Sequence, residues 1–178
     1  IKTYWDVIKG DERFFGITKK IHNALHGVDV GLSPNEKDHF IHVNRDNKKE
    51  IREDADIVFV HDPQPVALVE EKERLGKKWV WRCHIDFTNP QEETWDLLKA
   101  YVEAYDCAVF SAPAFSRPMS IRQVLISPSI DPLSNKNKDL PNGVVDSICE
   151  RFGIDRQRPV ITQISRFDYL KDPVGVIK

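Results

Sequence analysis

An α/β fold built on a doubly wound parallel sheet is predicted by two features of this 178-residue sequence. The first is a pair of short, almost uninterrupted apolar runs, Asp56-Ile57-Val58-Phe59-Val60-His61 and Cys107-Ala108-Val109-Phe110-Ser111, which is how strands buried on both faces of a parallel sheet read. The second is that stretches with apolar residues at helical spacing alternate with such runs along the chain. Alternation of this kind, closed by right-handed crossovers, gives a Rossmann-like layer arrangement.

Taken in order, Tyr4-Trp5-Asp6-Val7-Ile8 within Lys2–Lys9 alternates as a strand does and is ended by Gly10-Asp11. Phe14, Phe15, Ile17, Ile21 and Leu25 recur at helical spacing, with Gly27 as the stop. Ser33-Pro34-Asn35-Glu36 supplies an N-cap, a proline at the first helical position and an early acid, opening a polar helix expected to run to about Asp54. After the Asp56–His61 strand, Asp62-Pro63-Gln64-Pro65 breaks the chain, and Val66–Leu75 forms a helix closed by Gly76. Trp79–His84 is the next strand, and Thr88-Asn89-Pro90 opens a helix with Trp95, Leu98, Val102 and Tyr105 on one stripe. Cys107–Ser111 and Val124–Ser127 complete the strands of the first domain, residues 1–133. Pro128–Pro141, rich in Pro, Asn, Ser, Lys and Asp, suits a surface connection. A helix near Val144–Phe152 and a strand at Pro159–Ile164 then read as the first βα unit of a second Rossmann-like domain, residues 134–178.

Composition excludes several functions. With 40% hydrophobic and 30% charged residues and a net charge of -2, the chain has neither the bulk charge of a nucleic-acid binder nor the ~20-residue apolar run of a membrane span. Its three cysteines are scattered, with no CxxC spacing. Cys83 and Cys107 lie in strand-like runs and read as reduced, buried small hydrophobes, so a cytoplasmic location is expected. No signal peptide is expected ahead of Ile1, and no P-loop, GxGxxG, HExxH or serine elbow is present.

Three polar clusters carry the candidate chemistry. His61-Asp62-Pro63-Gln64-Pro65 and Arg82-Cys83-His84-Ile85-Asp86 each follow a strand, at the carboxyl edge where open α/β sheets bind ligands. An imidazole, a carboxylate and an amide in one turn can hydrogen-bond several sugar hydroxyls, although Asp62 and its prolines also serve simply to build a turn. Ser165-Arg166-Phe167-Asp168 with Lys171 follows the last strand. A planar fork and a compact ammonium suit a diphosphate, and equally suit a solvated turn. Trp79, Trp81 and Trp95 lie in strand or helix stripes and are expected in the core rather than under a sugar.

These blocks, together with Pro128-Ser129-Ile130-Asp131-Pro132-Leu133, resemble the glycosyltransferring trehalose synthases, a retaining GT-B family that also holds trehalose phosphorylases. The resemblance runs from near Phe14 to Lys178. It implies transfer of glucose from a nucleoside-diphosphate glucose to glucose, with no cofactor and no metal. It implies that Arg166 and Lys171 hold the donor diphosphate, that His84 lies at the donor sugar, and that Asp62, Gln64 and Asp86 orient acceptor hydroxyls. His61 and Arg82 join them as candidates. Family members carry a first strand and a glycine-rich loop ahead of the position of Ile1, and most of a second domain after that of Lys178. The chain is therefore expected to be a fragment, with self-association through an unfinished sheet edge as a further expectation. A trehalose phosphorylase and a non-catalytic sugar-binding module are the alternatives.

Overall fold

The computed structural model describes residues 1–167 and 169–178, with the backbone alone at Tyr169. Asp168 of the cation-bearing segment thus lies outside the described residues. The chain divides into two compact units, Ile1–Pro128 and Ser129–Lys178.

Unit 1 is organised by four parallel strands in the order β1 (Ile57–His61), β2 (Lys78–Arg82), β3 (Cys107–Phe110) and β4 (Arg122–Leu125). Register pairs His61 with Arg82, Arg82 with Val109 and Phe110 with Leu125, so the carboxyl ends of β1, β2 and β3 lie side by side. Three helices contribute their apolar stripes to one core: α1 (Glu12–Leu25), α2 (Pro34–Asp46) and α4 (Glu92–Val102), with α3 (Lys72–Leu75) a single turn closed by Gly76 at φ 60. Phe14, Ile17, Ile21 and Leu25 of α1, Phe40 and Val43 of α2, and Trp95, Leu98 and Val102 of α4 pack with Val60, Trp79, Trp81, Ala108 and Phe110 of the sheet. Trp79, Trp81 and Trp95 are buried, as their stripe positions foretold.

The helix starts follow local chemistry. Ser33 caps α2 by accepting from the Glu36 amide, and the Glu36 carboxylate accepts from the Ser33 amide at 2.9 Å, a reciprocal capping box. At the end of α1, Gly27 takes φ 84, and a Cβ there would lie 2.8 Å from the Asn89 carbonyl oxygen, so turn and close approach both demand glycine.

Several expectations are corrected. Lys2–Lys9 forms no strand. A strand needs a partner for its backbone, and this segment instead satisfies Lys9 through the side-chain amide of Asn47, which receives from the Lys9 N–H (2.8 Å) and donates to its carbonyl (2.7 Å). The helix expected to reach Asp54 ends at Asp46 and tightens into a 3₁₀ turn, Asn47–Glu50. Val66–Glu71 is 3₁₀ rather than α-helical. Strand β4 lies two residues earlier than Val124–Ser127, because pairing with β3, not apolar content, recruits Arg122 and Gln123. Strand β1 is not buried on both faces: Val60 is 5% exposed, but Ile57 and Phe59, pointing to the other face, are 58% and 49% exposed. An apolar run does not report whether an edge strand's second face is covered.

In unit 2, α5 (Asn142–Arg151) matches the expected helix, and Gly153 follows at φ 65. Pro159–Ile164 is not a strand. Ile161 and Ile164 are exposed, and no described residue of this unit supplies a neighbouring strand. A 3₁₀ turn at Tyr169–Lys171 precedes α6 (Pro173–Ile177), whose N-cap Asp172 accepts from the Gly175 amide at 3.0 Å.

Candidate functional site

Parallel pairing of β1 and β2 brings the two histidine-bearing strand ends together. His61, the last residue of β1, has its Nδ1 3.1 Å from Nε2 of His84, two residues beyond β2. The two rings are nearly parallel, 6° apart, with centroids separated by 5.4 Å. Asp62 turns the chain immediately after β1 in the left-handed region, φ 65, which aspartate tolerates better than most residues. That turn aims each polar group of Asp62 at β2. Its N–H donates to the Arg82 carbonyl (2.8 Å), its carbonyl accepts from the Trp81 indole (3.0 Å), and its Oδ1 accepts from the His84 N–H (2.8 Å). Asp62 therefore binds the two strand ends into one unit.

The other predicted residues are placed differently. Arg82 is buried and donates from Nη2 to Ser111 Oγ at 3.2 Å, a tie to the segment after β3. The Asp86 carboxylate is occupied locally, accepting from the Thr88 N–H (2.7 Å) and hydroxyl (2.5 Å) in the turn that precedes α4. Gln64 meets the structure through its backbone, whose carbonyl accepts from Asn44. In unit 2, Arg166 and Lys171 are both exposed, and the Lys171 carbonyl accepts from the Gln163 side chain at 2.5 Å.

Burial and the neighbouring His84 and Arg82 hold the His61 imidazole below its ordinary pKa, with Asp62 opposing them, so the ring is biased toward the neutral form. Burial likewise pushes the Cys83 thiol far up, which keeps it protonated and unreactive beside the site. Among the described residues no cluster of His, Cys, Asp and Glu could hold a metal ion, and no helix is long and apolar enough to cross a membrane. A groove formed by Lys9, Gly10, His39, His42, Asp46 and Glu50 holds none of the predicted residues. Its charges meet one another, Lys9 with Glu50 at 2.9 Å and His39 with Asp11 at 3.0 Å.

Residues 1–117 match the family model described as trehalose synthase, N-terminal domain. The chain belongs to the trehalose synthase family. It is 44% identical over 182 residues to the trehalose synthase of Pyrococcus horikoshii and 40% identical over 184 residues to that of Rubrobacter xylanophilus, alignments that cover 100% and 99% of this chain. The trehalose synthase of Thermococcus litoralis is 39% identical over 181 residues. The chain spans 44% of the length of each of these relatives.

Within this trehalose synthase domain, two supports of the site escaped the sequence reading. Asn44 is fully buried on α2. Its amide nitrogen donates to the Phe40 and Gln64 carbonyls, both at 3.0 Å, and its oxygen accepts from the Ala67 N–H at 3.2 Å. The signal was available: Phe40, Val43, Asn44 and Asn47 share one helical stripe, and a polar residue on a buried stripe must be satisfied by something nearby. Asn44→Ala is expected to destabilise the domain by about 1–3 kcal/mol, because it leaves the Gln64 carbonyl and the Ala67 N–H without their partner. Urea unfolding of the variant and parent measures it. The second support is Trp5, whose exposed ring lies 5.3 Å from that of His61.

Proposed function

We propose that the chain forms the acceptor-side domain, with the beginning of the donor side, of a retaining glycosyltransferase that moves glucose from a nucleoside-diphosphate glucose to free glucose and so makes trehalose. One observation carries the reading: in a member of this family, His61 and His84 meet at the carboxyl ends of adjacent parallel strands. That edge is where α/β sheets take their ligands.

In this reading His84 faces the sugar being transferred, and the turn Asp62–Gln64 with Asp86 orients acceptor hydroxyls. Arg82, buried below, sets a positive potential and holds the edge through Ser111. Arg166 and Lys171 hold the two phosphates. As the bond from the sugar to the nucleotide breaks, negative charge grows on the departing diphosphate, and two fixed cations stabilise it without a divalent ion. The acceptor hydroxyl attacks from the same face that the nucleotide leaves, so the configuration at the sugar carbon is kept.

The direct test is a glucose titration of the isotope-labelled chain followed by NMR. Glucose should shift the ring nitrogens of His84 and the backbone amides of Asp62 and Gln64, and His84→Ala should abolish the response while leaving the core signals in place. Saturating glucose that leaves these signals unmoved would overturn the acceptor-side assignment.

A further inference from the structure

We propose that His61 is a positioning residue for His84: through the 3.1 Å contact between its Nδ1 and His84 Nε2, it ties the position of the proton on the His84 ring to that on its own. Its meaning for catalysis rests on the reading of His84 as the group facing the transferred sugar.

The chemistry of the contact is restrictive. Two neutral imidazoles hydrogen-bond only when one presents N–H and the other a lone pair. One proton bridges the two rings, so the outward nitrogens, His61 Nε2 and His84 Nδ1, are always one donor and one acceptor. Neither ring can change tautomer alone without breaking the bond; the two must change together. An unpaired imidazole beside a sugar would instead sample both tautomers, and part of its population would offer the wrong polarity to a given hydroxyl.

The surroundings hold both rings in place. The His61 ring is flanked by Phe59, with centroids 5.0 Å apart, and by Trp5 at 5.3 Å. The His84 backbone is held by the Asp62 carboxylate at 2.8 Å, so the turn after β1 fixes His84 at its amide and β1 at its ring. The charged and titratable groups acting on His61 are His84, Asp62 and Arg82. His84 and Arg82 discourage an added proton on His61, and Asp62 alone favours one. Uptake of that added proton would turn both outward nitrogens into donors.

The test is ¹⁵N NMR of the histidine rings in the 178-residue chain and two variants. His61→Phe keeps a flat ring between Phe59 and Trp5 and removes the nitrogen. His61→Asn places an amide near the lost Nδ1. In the parent, His84 should show one pyrrole-like and one pyridine-like nitrogen. In H61F the two shifts should converge toward the averaged position, and in H61N they should separate again. Opposite tautomers on the two rings of the parent, or His84 nitrogen shifts unchanged in H61F, would overturn the proposal. A glucose titration on the same samples keeps the two readings apart: a His84 tautomer governed by His61 but indifferent to glucose upholds the pairing and removes the sugar site.

Discussion

Alanine at Arg166 or at Lys171 is expected to lower trehalose formation by about 10²–10³-fold each, the cost of removing one preorganised group from a developing negative charge. The measurement is turnover with nucleoside-diphosphate glucose and glucose, in a protein of the relatives' length that includes these residues. The two cations are not equivalent. A guanidinium offers paired donors in a plane, whereas an ammonium is a compact point charge, so Arg166→Lys and Lys171→Arg should each recover only part of the loss. Undiminished turnover in both alanine variants would remove the diphosphate assignment, whatever the histidine pair does.

The second large effect belongs to Trp81. Its side chain is fully buried against Phe87 and Phe110, with ring centroids 6.1 and 6.0 Å away, and its indole N–H donates to the Asp62 carbonyl. Trp81→Ala is expected to cost about 3–5 kcal/mol, since it empties a tryptophan-sized volume in the sheet layer and the surroundings relax only partly. Trp81→Phe separates the two contributions. It keeps most of the packing and loses one hydrogen bond, an effect of about 0.5–1.5 kcal/mol. Denaturant titration should show a lower midpoint with an unchanged slope in both variants. If Phe proved as damaging as Ala, the Asp62 turn rather than packing would be the dominant part.

Much of this arrangement was legible in the residues. Ser33 and Glu36 announced the start of α2, and Gly27 and Gly76 announced helix stops, because these signals are local and each has one mechanical meaning. The histidine pair was half legible. His61 and His84 could each be placed at a strand end, but their contact depends on the pairing of His61 with Arg82, a register that only the folded sheet defines. What failed was non-local in the same way. Tyr4–Ile8 and Pro159–Ile164 have strand composition, yet a strand exists only when a neighbour accepts its hydrogen bonds, and alternation alone does not supply one. The same holds for β1, where apolar content was read correctly and coverage of the Ile57 and Phe59 face was not.

The bonds that Asn44 and Trp81 make to the segment after β1 have a dynamic consequence. Loops that carry function are usually among the first parts of a protein to open, because little holds them. Here the Asp62 carbonyl, the Gln64 carbonyl and the Ala67 N–H are each bound by a buried side chain rooted in α2 or β2. Loosening the loop thus requires breaking contacts that belong to the hydrophobic interior, so its fluctuations are tied to those of the whole domain. The turn that follows His61 thus has the stiffness of a core element.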